Sequence, residues 1–287
     1  MIMKTGLALA LIGTLQVRAQ TNATDLEAWL ARAITNQTYQ PPSSAELTRA
    51  EELFRHTLRA DQPAAELKSG WEKLGFGFYE IAAGGEPLWL VSEPPGREFG
   101  RGWYLFRTNQ ESTTALEAPH ARNDVHTGII SLRLFLAGKA RVLAASTITR
   151  YKADMAHLTD TYFQEFTLAF TSVCPAGLVF QLHGFESENH ESARADVIAS
   201  SGTRSPERWF DDFVGELKKN TALTVLAFPH DVKSLGALSN TQGQALHKSG
   251  HCRFLHLECT KELRDRLTRD QKLRRAILDS LTVAEQR

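Results

Sequence analysis

Leu178-Val179-Phe180-Gln181-Leu182 is a short, mostly apolar run that stops at His183-Gly184-Phe185. A run of that length, ended by a glycine, suits one strand buried on both faces of a helix-covered sheet. Outward from it, 142–147, 222–228 and 252–258 read as further strands, while 128–138, 159–171, 205–218 and 261–282 carry helical spacing. Strands alternating with helices indicate an α/β fold with a largely parallel sheet, here over about residues 97–287. Toward the N-terminus the texture changes. Runs at 76–81, 87–92, 102–107 and 113–118 are broken by Ala83-Gly84-Gly85, Pro94-Pro95-Gly96 and Gly100-Arg101-Gly102, and they read as hairpin strands. Two helices are expected before them. One is announced by the capping pattern Thr24-Asp25-Leu26-Glu27, the other by Ser43-Ser44-Ala45-Glu46. Residues 20–96 are therefore expected as an N-terminal helical and hairpin extension packed on the main domain.

The chain has 287 residues, 42% of them hydrophobic and 23% charged, which excludes collagen-like, coiled-coil and disordered classes. Basic and acidic residues number 33 each, with no basic stripe, so a nucleic-acid partner is not expected. Lys4, the apolar run Gly6 to Ile12 and the small-residue site Val17-Arg18-Ala19 form the pattern of a secretory signal peptide over 1–19. That run is too short to span a bilayer, and no later one is long enough. The expectation is a secreted or periplasmic protein with no stable membrane anchor after signal cleavage.

Three cysteines allow at most one internal bridge. Cys252 and Cys259 stand at the ends of one extended run, too far apart to join at roughly 3.3 Å per residue. If the strands ending at His183 and Glu258 are parallel neighbours, Cys174 and Cys252 meet at the end opposite the site, which leaves Cys259 free.

Polar residues recur where apolar strands end. Ala115-Leu116-Glu117-Ala118 leads into Pro119-His120 and on to Asp124, the 178–182 run ends at His183, and Phe254-Leu255-His256-Leu257 ends at Glu258. Ligands of open α/β sheets bind beyond the carboxyl ends of the strands, so these four residues are expected to converge. Two imidazoles and one carboxylate are a usual protein ligand set for catalytic Zn²⁺. His120 and Asp124, four apart, reach one ion from a tight loop or a first helical turn, and Gly184 permits close approach of backbone to ligand. Glu258, sharing a strand face with Phe254 and His256, is the candidate general base. Asp154 and His157 form an alternative ligand pair, or else a helix cap and a loop histidine. Arg150 and Arg264 are candidate forks for a substrate carboxylate. G-x-S-x-G and H-E-x-x-H are both absent.

Taken in order, Ala118-Pro119-His120, Asp124-x-x-Thr127, His183-Gly184 and Leu257-Glu258 leading to Leu263-Arg264 resemble the motifs of phage-type poly-γ-glutamate hydrolases. That family is related to zinc carboxypeptidases and, more loosely, to N-formylglutamate amidohydrolases. The resemblance covers roughly 113–267. It implies a carboxypeptidase-like fold, Zn²⁺ on His120, Asp124 and His183, Glu258 as base, and cleavage of an amide in a glutamyl-type or cell-wall peptide. Asp124 departs from the pattern, being Asp rather than Glu and one residue closer to the histidine. Asp154-Met155-Ala156-His157 stands where carboxypeptidase relatives carry an Asn-Arg substrate clamp, so His157 is a candidate for that role. Two other functions fit the same residues: a small-molecule deacylase of N-acyl amino acids, and a binding or structural domain without turnover.

Overall fold

The computed structural model describes residues 19–34, 38–109, 112–186, 194–250 and 253–286. Apart from Ala19, the expected signal segment lies outside them, as does Cys252. Strand β1 (Ala19–Gln20) precedes helix α1 (Ala23–Ala33). Its cap is Asn22 and not Thr24. Asn22 Oδ1 accepts from the Asp25 N–H at 2.9 Å while the Asp25 carboxylate accepts from the Asn22 N–H at 3.3 Å, so the reciprocal box sits two residues earlier than expected. Helix α2 (Ser44–Arg59) starts at the expected box of Ser43 and Glu46. A third helix, α3 (Ala64–Lys73), was not expected. It starts at Pro63 without a side-chain cap and is tied to α2 by Trp71, whose Nε1 donates to Thr57 Oγ1 at 3.1 Å.

Strands β2 (Gly77–Ala83), β3 (Glu86–Ser92) and β4 (Trp103–Arg107) form the expected antiparallel meander. The fourth run does not join it. β5 (Thr114–Ala118) is buried along its whole length, leads through α4 (Thr127–Ala137) to β6 (Val142–Ala145), and pairs parallel with β6. After α5 (Tyr162–Val173) comes β7 (Leu178–Gly184), which pairs with the other side of β5. β8 (Val197–Ser200), only four residues long, was not expected; α6 (Arg208–Asn220) and β9 (Val225–Ala227) follow it. Helix α7 (Thr241–Lys248), also missed, leads to β10 (Phe254–Cys259).

The chain closes with α8 (Lys261–Arg269) and α9 (Gln271–Glu285), where one helix was expected. Asp270 takes extended backbone between them, and its side chain accepts from the Leu273 N–H at 3.0 Å, which stops one helix and caps the next.

The strand order is β1-β2-β3-β4-β6-β5-β7-β10-β8-β9. The centre, β6-β5-β7-β10, is parallel; β4 joins β6 and β8 joins β10 antiparallel. Helices α1, α4, α6, α8 and α9 cover one face, and α2, α3, α5 and α7 cover the other. The α/β fold class therefore holds, and β7 and β10 are the parallel neighbours that the cysteine argument required. Cys259 is a buried free thiol, as expected. Cys174 is also free and buried, so no bridge leaves it within the described residues.

Phe54 of α2 ties the N-terminal helices to the rest. Its ring meets Trp71, Tyr104 of β4 and Phe166 of α5 at centroid distances of 4.7, 4.8 and 5.5 Å. Phe54→Ala is expected to destabilise the whole chain by about 3–5 kcal/mol, in one transition seen alike by calorimetry and by aromatic circular dichroism. A separate early transition that leaves the remainder unmoved would show an independent N-terminal unit.

Candidate functional site

The site follows from strand periodicity. Alternate residues of β5, β7 and β10 face α2, α5 and α7, and the parallel register aligns them in rows across the strands. The first row is apolar: Ala115, Val179 and Phe254. The next is Glu117, Gln181 and His256, extended by Ser200 of β8, and the last, at the carboxyl ends, pairs His183 with Glu258. The helix-facing surface thus turns from hydrophobic to polar along the strands. Beyond β5 the chain makes a tight turn in which the His120 carbonyl accepts from the Asp124 N–H at 2.9 Å, and this brings His120 and Asp124 to the same end.

Three atoms meet there. His120 Nδ1 and His183 Nδ1 are 3.2 Å apart, and Asp124 Oδ2 lies 3.4 Å from the first and 3.5 Å from the second. Ligands at about 2.0–2.1 Å on a tetrahedral zinc are separated by about 3.3–3.4 Å, so this triangle has the size of one tetrahedral face. The far sides of both rings are anchored. His120 Nε2 contacts Asp154 Oδ1 at 2.7 Å, and His183 Nε2 contacts Gln181 Oε1 at 3.2 Å, the outer contacts typical of ligating histidines. Two further groups share these residues, namely His120 with Asp154 and His157, and His183 with His256 and Glu258. The former is the more exposed, and its Asp154 Oδ1 is already engaged by His120 Nε2.

Burial and neighbouring charge set the protonation of the cluster. Burial works against both aspartates ionising, yet contacts with His120 and His183 pull Asp124 well below the ordinary carboxylate range, and His120 and His157 do the same for Asp154. For His120, burial disfavours the charged ring, but the two aspartates outweigh it and raise its pKa. His183 is pushed down to about 4 and His256 well below the usual histidine value, in both cases chiefly by burial. Burial, then the charge of Asp124, pushes Glu258 up to about 8. Glu258 Oε2 and His256 Nδ1 are buried and have no hydrogen-bond partner among the described residues.

These side chains open onto a cavity of about 710 Å³ lined by His120, His183, His256 and Glu258 on the sheet side. Phe228 and residues 235–240 form the other wall, and Arg150 and His157 also line it. Arg150 Nη2 approaches Asp154 Oδ2 at 3.3 Å, while His157 Nδ1 lies 3.1 Å from Asp154 Oδ1. Arg264 is not among the lining residues. It is buried, and its Nε and Nη1 donate to the Cys259 and Val125 carbonyls at 3.2 and 2.8 Å. Gly184 lines the cavity and has a second steric role as well. A Cβ there would lie 2.5 Å from the Arg264 guanidinium carbon, so it is this arginine that the glycine admits, while its N–H donates to Asp124 Oδ2 at 3.0 Å. The sequence reading passed over Gln181 and His256 as site residues, and the signal for both was a polar side chain on the site face of a buried strand.

No protein-family model and no curated protein matches the chain. Solved structures similar to it include an N-formylglutamate amidohydrolase from Ralstonia eutropha JMP134, with a TM-score of 0.47 and 13% identity, over 65% of this chain and 98% of the other. A metallo-carboxypeptidase from Burkholderia cenocepacia has a TM-score of 0.41 and 14% identity, over 77% of this chain and 67% of the other. A bacteriophage poly-γ-glutamate hydrolase has a TM-score of 0.39 and 12% identity, over 62% and 86%. The sequence motifs had named the same three kinds of protein. Identity at this level transfers no residue role.

Glu117, fully buried in the middle row, accepts from Thr167 Oγ1 and Gln181 Nε2, both at 2.7 Å, and burial pushes its pKa from 4.5 up to about 7. Between those values the folded chain keeps a proton that the unfolded chain releases, so stability falls as pH rises through this window. The drop is on the order of 3 kcal/mol. Urea unfolding in the presence of a chelator, from pH 4.5 to 8, is expected to show stability falling with pH in the wild type, and falling by about that amount less in Glu117→Gln.

Proposed function

We propose that this chain is a zinc-dependent hydrolase of amide bonds, acting outside the cytoplasm on a peptide or N-acyl amino acid. The observation that carries the reading is the triangle of His120 Nδ1, His183 Nδ1 and Asp124 Oδ2, whose edges of 3.2, 3.4 and 3.5 Å suit three ligands of one zinc ion. His120, Asp124 and His183 would hold the ion. When bound, zinc supplies Lewis acidity, which acidifies water and polarises a carbonyl.

The protein's own groups do the rest. Asp154 holds the far nitrogen of His120 and so fixes that ring. Glu258, which lines the cavity and whose Oε2 has no hydrogen-bond partner among the described residues, takes the proton of the attacking water and returns it to the leaving amine. Arg150 and His157, which line the cavity beside Asp154, would meet a substrate carboxylate. Arg264 is assigned no such contact, since it does not line the cavity and its Nε and Nη1 are held by backbone carbonyls. Phe228 and Leu238 give the opposite wall an apolar surface for the substrate's acyl or side-chain part. The balanced charge of the chain provides no footing for nucleic acid, and among the described residues no helix is long and apolar enough to cross a membrane.

Single replacement of the metal-facing residues tests the ligand set. His120→Ala, Asp124→Ala and His183→Ala should each lose zinc measured by mass, whereas Asp154→Ala, which removes an outer contact, should keep it with affinity lower by about 10–100-fold. Full zinc in Asp124→Ala together with none in Asp154→Ala would move the site to His120, Asp154 and His157.

Glu258→Gln separates binding from chemistry. It keeps size and hydrogen-bonding reach but cannot take up the proton. Zinc content should stay at the wild-type level while amide turnover falls by about 10²–10⁴-fold. Unchanged turnover would remove Glu258 as the base, and lost zinc would make it a ligand with His183 and His256. A wild-type chain that takes up zinc but hydrolyses no peptide or N-acyl amino acid would favour the binding domain.

A further inference from the structure

Gln181 lies in the buried middle row, one strand repeat before His183, and all four hydrogen-bonding positions of its amide are engaged. Its Nε2 donates to Glu117 Oε2 at 2.7 Å and to Gln242 Oε1 at 3.1 Å. Its Oε1 accepts from Asn240 Nδ2 at 2.7 Å and faces His183 Nε2 at 3.2 Å.

The sense of this arrangement is dictated from outside. Gln242 Nε2 donates to the Met155 carbonyl at 2.9 Å, so Gln242 presents its oxygen to Gln181. Asn240 Oδ1 accepts from the Gly243 N–H at 2.9 Å, which leaves Asn240 its amino group to offer. Once ionised, as at pH 8, the Glu117 carboxylate can only accept. Two backbone groups and one carboxylate therefore orient the Gln181 amide with its oxygen toward His183. An amide oxygen cannot donate, so His183 must bring the proton on Nε2 and keep the Nδ1 lone pair free. Left to itself the ring would answer to another neighbour. Asp124 Oδ2, 3.5 Å from His183 Nδ1, favours a proton on that atom instead.

We propose that Gln181, oriented by Glu117, Gln242 and Asn240, is a tautomer lock, a positioning residue that holds the His183 proton on Nε2 against the pull of Asp124. Its consequence for metal uptake rests on the zinc reading above; the tautomer itself does not. With the lock, Nδ1 meets an incoming cation as a bare lone pair. Without it, a proton must first be displaced from that atom.

The test uses the full chain with ¹⁵N-labelled histidine, stripped of metal, at pH 8, with the His183 ring signals assigned by their loss in His183→Gln. The wild type is expected to carry the His183 proton on Nε2. In Gln181→Met, which keeps length and apolar packing but offers no strong acceptor, the proton should move toward Nδ1, and zinc affinity measured by chelator competition should fall about 10–100-fold. Asn240→Ser retains the α7 cap but withdraws one orienting donor, and should move both quantities in the same direction by less. Glu117→Gln, which can still offer an oxygen to Gln181, should leave the tautomer in place.

A wild-type proton on Nδ1 overturns the lock, as does a Gln181→Met or Asn240→Ser protein that keeps both tautomer and affinity unchanged. If the wild type takes up no zinc while Gln181→Met still moves the proton, the lock stands and the zinc reading falls.

Discussion

The parallel register of β5, β7 and β10 is the constraint on which the site depends. Because side chains alternate at a period of two, Gln181 can share a face with His183 only if it is buried there, and the same holds for His256 and Glu258. A one-residue slip of β10 against β7 would turn His256 and Glu258 into the layer that now holds Leu255, Leu257 and Cys259. That layer packs on α4, α6, α8 and α9, where charged or polar groups would be stranded. The apolar row of Ala115, Val179 and Phe254 and the apolar opposite face therefore fix the geometry of the polar end. Core packing and site placement are one requirement.

A row of polar side chains inside a sheet is costly wherever its members do not satisfy one another. Gln181 is satisfied completely, and Glu117 by two uncharged donors and no ion pair. Helices reached through long connections contribute to the network as well: Thr167 and Gln164 from α5, Asn240 from the cap of α7, and Gln242 from its first turn. The helices that cover this face thus do more than exclude water. They carry the donors and acceptors that settle which way each amide in the row must point.

Much of this was legible in the sequence, and the boundary between legible and hidden is physical. His183 and Glu258 stood out because a titratable group at the end of an apolar run conflicts with simple burial. The pair of His120 and Asp124 was visible as a spacing. Gln181 and His256 were written in the same strands, but a mid-strand polar residue reads as an exception until the register shows it beside another. The roles of Asp154 and His157 could not be told apart by spacing, since only the 2.7 Å contact on the far side of His120 distinguishes an anchor from a ligand. Likewise β8 and α7 are short and owe their form to neighbours, and Asp270 interrupts a helical pattern that continues on both sides of it. Arg264 reads as a candidate fork for a substrate carboxylate because nothing in one dimension reveals that Gly184 makes room for it inside the fold.

The unpaired atoms give the cavity its chemical direction. A buried polar atom without a partner costs roughly 1–3 kcal/mol, so Glu258 Oε2 and His256 Nδ1 place a free-energy penalty on the side of the sheet that opens to the cavity. Elsewhere in the row the same kind of group is satisfied by protein, which shows that the fold can supply partners where helices close over the strands. At the carboxyl ends they do not close, and the cavity takes their place. Relief of the penalty then falls to whatever enters: a molecule that donates to Glu258 Oε2 gains an interaction that no group among the described residues competes for. A water or an amine standing between Glu258 and the triangle of His120, Asp124 and His183 is such a donor, and it is also the species that must lose or gain a proton when an amide is cleaved.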